Sequence, residues 1–192
     1  IIKEKKIYAF VQARQTSKRL PNKIFLKLNR KTVLKNIYLR LKKSQFLKKI
    51  IYLIPENSKN LKLKNYLISE NYKFFSGDEN NVLKRFYYAS KKFNPDYIVR
   101  ITADCPLVDY RLLDEMINKF LNLKNIEYFS NTIKRSYPKG LDIEIFTKKA
   151  LNKTFTNAKK KYDLEHVTPY MKKNLRTRNF LNEIDYSKHR LT

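Results

Sequence analysis

Short apolar runs alternate with amphipathic stretches along the whole chain. Residues 7–13 (IYAFVQA) are almost continuously apolar, as a buried strand would be. Similar runs follow at 49–54 (KIIYLI, ended by Pro55), 72–75 and 96–101 (DYIVRI), with further candidates at 126–130 and 176–184. Helical spacing fills the gaps. Thr32 can cap a helix whose apolar positions Val33, Leu34, Ile37, Leu39 and Leu41 form one broad face. Asn57 or Ser58 can open a helix reaching about Glu70, Val82 to Phe93 shows the same period, and 111–121 repeats it behind Asp109 as N-cap. Thr147 can cap a helix to about Asn157, and 162–174 reads as one more, with Pro169 near its first turns. Residues 141–146 (LDIEIF) alternate apolar and acidic side chains, the pattern of a half-exposed strand. The alternation predicts an α/β fold, a mostly parallel sheet with helices on both faces. Ligands of such sheets sit beyond the carboxyl ends of strands. Functional residues are therefore expected in loops that follow strands.

Composition narrows the class. The 192 residues fit one domain, 1–192, and 42% hydrophobic with 14% aromatic content excludes a disordered chain. Cys105 is the single cysteine, so no intrachain disulfide forms and a reducing, cytoplasmic setting is expected. No apolar run approaches the ~18 residues of a membrane span, and the first residues lack a signal-cleavage pattern. The chain begins without Met and stops at Thr192, which reads as a piece truncated at its C-terminus. Lys and Arg number 43 against 17 acids, a formal +26. A nucleic-acid-binding module is one reading of that charge. The lysines are scattered over every segment, however, and a basic surface that attracts polyanions is the simpler one.

The loop after the first strand reads Gln12-Ala13-Arg14-Gln15-Thr16-Ser17-Lys18-Arg19-Leu20-Pro21-Asn22-Lys23. Four cations and two hydroxyls suit a triphosphate, with Arg as a two-pronged donor and Lys as a point charge. Neither GxxxxGKS/T nor GxGxxG is present. A basic surface loop is the alternative. The run QARxxSxRLPxK resembles the opening signature of sugar-activating cytidylyltransferases, the KDO and acylneuraminate types and the spore-coat polysaccharide branch. The resemblance implies a Rossmann-like, three-layer nucleotide-diphospho-sugar transferase fold. It also implies that the backbone at Gln12 and Ala13 meets cytosine, and that Arg14, Ser17, Arg19 and Lys23 hold the phosphates. Asn22 stands where the family usually has Gly.

The loop after DYIVRI reads Thr102-Ala103-Asp104-Cys105-Pro106-Leu107-Val108-Asp109 and resembles the family's RITGDCPLID. On residues alone Asp104 is a turn-capping Asp or a carboxylate for Mg²⁺, which prefers oxygen ligands. The resemblance makes it the magnesium ligand. Cys105 reads as a buried structural thiol.

Both glycines fall in resembling blocks, Gly77 in FSGDENNVLKRFYYA and Gly140 in YPKGLDIE. Each is expected to mark backbone other residues do not adopt. Asp78 and Arg85 are expected to line the nucleotide site. Asp142 and Glu144 would share one strand face, either as exposed polar positions or as sugar contacts or a second metal contact. Glu165-His166-Val167-Thr168-Pro169-Tyr170 resembles EREHVTPY and places His166 on the sugar side or at a subunit interface. The tail YSKHRLT resembles LSHLRLT, after which the family has Val-Asp, the expected second metal ligand. These blocks run in order from about residue 7 to 192.

The resemblance implies transfer of CMP from CTP to a sugar, an acidic one by expectation, with Mg²⁺, pyrophosphate release and a homodimer as a reasonable assembly. Catalytic roles then fall to Arg14, Arg19, Lys23 and Asp104. Two enzyme alternatives remain. A glycosyltransferase of related fold would use Asp142-Ile143-Glu144 as its acidic motif, and a nucleotidyltransferase using another NTP would share the loops.

Overall fold

The computed structural model describes residues 4–16 and 20–192. In chain order its strands are β1 (Ile7–Gln12), β2 (Lys27–Leu28), β3 (Lys31–Thr32), β4 (Leu47–Pro55), β5 (Phe74–Gly77), β6 (Tyr97–Thr102), β7 (Tyr128–Ser130), β8 (Glu144–Thr147) and β9 (Thr177–Asn179). The helices are α1 (Val33–Leu41), α2 (Leu61–Ser69), α3 (Val82–Phe93), α4 (Tyr110–Asn122), α5 (Lys148–Asn157), α6 (Lys161–His166) and α7 (Pro169–Asn174). Seven strands form one sheet in the order β5-β4-β1-β6-β8-β7-β9. The pairs β1/β4, β1/β6, β4/β5 and β7/β9 are parallel, and β8 runs antiparallel to both β6 and β7.

The period of two along β1 divides the core. Ala9 and Val11 face one cluster, with Leu34 and Ile37 of α1, Leu63 and Leu67 of α2 and Leu113, Met116 and Phe120 of α4. Tyr8 and Phe10 face the other, with Leu83 and Phe86 of α3, Leu151 of α5 and Met171 of α7. Both faces of β1 are thus covered, which is why its sequence is a continuous apolar run. The expected caps are present. Thr32, Asp109 and Thr147 accept from the backbone N–H groups of Lys35, Arg111 and Ala150.

Three local expectations are corrected, and one element not expected is added. Residues 141–146 are not a half-exposed strand: β8 starts at Glu144, and Glu144, Ile145 and Phe146 are buried. β8 lies inside the sheet, so helices cover both its faces, and the acidic position finds partners within the core. The stretch 162–174 is two helices, broken where Val167 takes φ +70 and Pro169 starts α7. Proline lacks an N–H, which suits it to the first turn of α7 and not to the interior of a continuous helix. The terminal strand covers only Thr177–Asn179 of the expected 176–184. Residues 27–32 form a small hairpin whose turn residues Asn29 and Arg30 take φ 50 and 62, as a two-residue turn matched to strand twist requires.

Candidate active site

The order in which strands are added to the sheet reverses at β1. The connection through α1 leads to β4 on one side, and the later strand β6 joins the other. The carboxyl ends of β1 and β6 therefore flank the switch point, the ordinary ligand crevice of such sheets. Two sequence-predicted loops meet there. Lys23 Nζ lies 2.8 Å from Asp104 Oδ2, across 81 residues of chain. Ile24, 1% exposed, plugs into the core and fixes the loop behind Lys23. Asn22 takes φ 57 and donates its N–H to Gln15 O at 3.2 Å, so it fills the left-handed role suited to glycine.

Asp104 is held from a second side by Thr102, whose Oγ1 donates to Oδ1 at 2.6 Å. Burial alone would raise its carboxyl, but the hydrogen bonds from Lys23 and Thr102 outweigh it and the net shift is downward. Asp104 is therefore ionised at neutral pH. It borders a cleft of about 440 Å³ with Leu20, Lys23, Pro106, Arg190 and Thr192. Among the described residues no group of three or more His, Cys, Asp and Glu is placed to hold a metal. A single ionised carboxylate facing a cleft still fits Mg²⁺, which takes its other oxygens from water and phosphates. Cys105, 2% exposed, is pushed up to about 12 by burial and then by the charge of Asp104. It is a structural thiol, as its sequence context implies.

A second, polar cavity of about 190 Å³ opens beside the first, between β6, β8 and the break separating α6 from α7. Thr102 borders it while holding Asp104, so the two spaces adjoin. Asp142, Glu144 and His166 all border this cavity. His166 lies tilted against Tyr162, with ring centroids 4.4 Å apart. Asp142 is gripped by Arg135 through two bonds of 2.7 and 2.8 Å.

Glu144 is 4% exposed. Its oxygens accept from Arg100 Nη1, Tyr128 Oη (2.6 Å) and Thr168 Oγ1 (2.7 Å), with Lys172 Nζ at 3.2 Å. Burial raises its carboxyl, but Arg100, Lys172 and the two hydroxyls overcome this and bring it down to about 2. An exposed polar face is thus excluded for Glu144, and its acceptor capacity is filled by protein donors. Arg100 also donates from Nη2 to Gln12 Oε1 at 2.9 Å, tying the end of β1 to this network.

Asp78 and Arg85 are brought together in a supporting arrangement. Arg85, 2% exposed, donates to the carbonyls of Asp78 (2.6 and 3.0 Å) and Glu79 (3.2 Å) and so props the loop after β5. Burial lowers it to about 10, with Asp78 and Glu79 opposing and Arg14 adding to the drop. The Arg14 charge therefore sits within electrostatic reach of this loop. Asp78 caps its own turn, accepting from Asn80 and Asn81 N–H. The glycine expectation holds for Gly140 alone, which takes φ +109. Gly77 serves through space instead: a Cβ there would meet Arg85 Cγ and Phe75 at 3.1 Å. Ala13 is buried at the end of β1, its N–H donating to Leu53 O at 3.0 Å. Ser17 and Arg19 lie outside the described residues.

Sequence reasoning did not single out Arg100, Thr102, Arg135, Thr168 or Lys172. One signal was available for Arg100, a cation inside the apolar run DYIVRI. The others become partners only through the fold.

The cytidylyltransferase family model matches residues 8–192. The uncharacterized protein MJ1063 of Methanocaldococcus jannaschii is 41% identical over 169 residues, covering 88% of this chain and 68% of that protein. The spore coat polysaccharide biosynthesis protein SpsF of Bacillus subtilis is 32% identical over 115 residues, 58% of this chain and 48% of its own length. The structure of a cytidylyltransferase from Leptospira borgpetersenii superposes with a TM-score of 0.93 at 37% identity, covering 98% of this chain and 81% of that one. With its sheet, its switch-point crevice and a family match spanning nearly every residue, this chain belongs to the cytidylyltransferase family of nucleotidyltransferases.

Proposed function

We propose that the chain transfers the cytidylyl group of CTP to a hydroxyl of an acidic sugar and releases pyrophosphate, in the cytoplasm, for surface polysaccharide or glycan synthesis. The observation that carries this is the Lys23–Asp104 pair at the β1/β6 switch point, with a polar cavity directly alongside. The triphosphate lies along the loop after β1, where Arg14 and Lys23 answer its charge, joined by Ser17 and Arg19. The sugar occupies the cavity bordered by Arg135, Asp142, His166 and Lys172. Its cations Arg100, Arg135 and Lys172 exceed its acids Asp142 and Glu144 by one, which suits an anionic acceptor. SpsF, by its name a polysaccharide-biosynthesis protein, supports an acceptor of the sugar class.

In the reaction the sugar hydroxyl oxygen bonds to the α-phosphorus, and the bond from that phosphorus to the β-phosphate bridge breaks. The electron pair leaves on pyrophosphate, and the hydroxyl proton goes to solvent. Lys23 and Arg14 stabilise charge gathering on the leaving group, and the cavity holds the hydroxyl in line. Thr102 and Lys23 keep Asp104 deprotonated and aimed into the cleft, ready for a divalent cation. Bound there, Mg²⁺ would neutralise phosphate charge and acidify the attacking hydroxyl.

The test is pyrophosphate release with Mg²⁺, each of the four NTPs and a panel of acidic and neutral sugars. CTP with an acidic sugar is expected to give turnover. Turnover with a nucleotide sugar and no pyrophosphate would instead establish a glycosyltransferase.

A further inference from the structure

The Lys23–Asp104 contact that marks the crevice also guards it. The described residues bordering the cleft include two cations, Lys23 and Arg190, and a single acid, Asp104. Both oxygens of that acid are engaged. Oδ1 accepts from Thr102 Oγ1 at 2.6 Å, and Oδ2 accepts from Lys23 Nζ at 2.8 Å. Mg²⁺ takes carboxylate oxygens at about 2.0–2.1 Å. A divalent ion on Oδ2 would face the ammonium across one oxygen. The acids of the adjoining cavity give no relief, because Asp142 is held by Arg135, and Glu144 by Arg100 and Lys172. Lys23 and the metal therefore compete for one negative charge.

The Lys23 side chain can leave while its loop stays in place. Ile24 anchors the backbone in the core, and Phe25 N–H donates to Asn22 O at 2.9 Å. The side chain itself is 27% exposed and turns on a flexible four-carbon stem. A triphosphate lying along the loop after β1 offers the ammonium several anionic oxygens in place of one carboxylate. Three N–H donors would let Lys23 touch a phosphate and Asp104 together, but not with a divalent ion on the same carboxylate oxygen.

We propose that Lys23 is a gate on the metal site: it closes Asp104 to divalent cations until the phosphates of the nucleotide draw it off, so that metal and nucleotide load together. This rests on the CTP reading of the crevice. The contact that keeps Asp104 ionised thus keeps it shut to a cation arriving alone.

The test is equilibrium dialysis of Mn²⁺, as the probe metal, against the unaltered chain and the variants Lys23→Met, Lys23→Arg and Arg190→Met, at physiological salt so that long-range charge is screened. Without nucleotide, Lys23→Met is expected to hold Mn²⁺ at least about tenfold more tightly than the unaltered chain, the low end of what a neighbouring cation takes from a carboxylate's affinity for a proton. Lys23→Arg keeps the cation and should bind as weakly as the unaltered chain. Arg190→Met removes a charge that borders the same cleft without contacting Asp104, and should change Mn²⁺ binding far less. Adding Asp104→Asn to Lys23→Met should abolish the gain. Thermal unfolding reports whether each variant is folded, and Lys23→Gln, which drops the charge but keeps a donor, serves if Lys23→Met fails to fold. Equal Mn²⁺ affinity in the unaltered chain and the folded Lys23→Met overturns the gate. So does an equal gain in Lys23→Arg or Arg190→Met, or a gain that survives Asp104→Asn. None of these results touches the CTP reading. CTP added to the unaltered chain should raise the Mn²⁺ retained with the protein. A gain in Lys23→Met with no such rise overturns release by the nucleotide, and the CTP reading with it.

Discussion

Replacing Glu144 by Gln is the sharpest perturbation this structure offers. Gln keeps the shape and still accepts from Tyr128 and Thr168, but it removes the negative charge that faces Arg100 and Lys172. Side-chain exposure is 12% for Arg100 and 5% for Glu144, so water replaces little of what is lost. Breaking a buried pair from one side costs about 3–5 kcal/mol. An independent route agrees. A carboxyl brought from 4.5 to about 2 on folding carries on the order of 3 kcal/mol of stability at neutral pH. Because the folded value is below the unfolded one, that stabilisation is complete above about pH 4.5 and is lost as pH falls toward 2. In a chain of this length each kcal/mol moves Tm by about 2–4 °C, so Glu144→Gln is expected to lower Tm by roughly 10 °C at pH 7. The assay is calorimetry or circular dichroism melting of both proteins from pH 7 downward. The gap between them should narrow as pH drops below about 4.5. A Tm change under 2 °C at pH 7, or a gap that stays constant with pH, would refute the reasoning. Adding Arg100→Gln to Glu144→Gln should restore part of the loss, because the stranded cation goes with it.

The remaining predictions concern the crevice and the tail. Asp104→Asn should reduce pyrophosphate release at least about 100-fold while leaving the melting curve near that of the parent, since its carboxylate faces a cleft; normal turnover would remove it from the chemistry. Lys23→Ala should weaken CTP binding about tenfold, the loss of one charge-assisted contact, read by dialysis. Gly140→Ala should destabilise by roughly 1–3 kcal/mol, because the residue takes φ +109 and its new Cβ would meet Leu191 backbone at 2.9 Å. Limited proteolysis should then cut the 186–192 segment faster, and an unchanged cleavage rate would show that the Lys139–Arg190 bridge does not depend on this glycine.

Much of this molecule is legible along the chain because the relevant physics is local. A helix period, a capping hydroxyl at Thr32 or Thr147 and an apolar run at β1 depend on neighbours a few residues away. They gave the α/β class, the helix starts and the two loops that meet at the β1/β6 crevice. The cytidylyltransferase motifs added the family, since spacing within a loop is also a local property. What the fold alone decided is pairing across distance. Lys23 and Asp104 are 81 residues apart and Arg100 and Glu144 are 44 apart, and they meet only because β6 inserts between β1 and β8. The alternating pattern of LDIEIF could not reveal that β8 is interior, because burial of an acidic position depends on the charges that other strands and α7 bring to it. Nor could spacing show that Gly77 answers to the Arg85 side chain. Sequence pattern sets which backbone each segment adopts, and tertiary packing sets which polar atoms find partners across the fold.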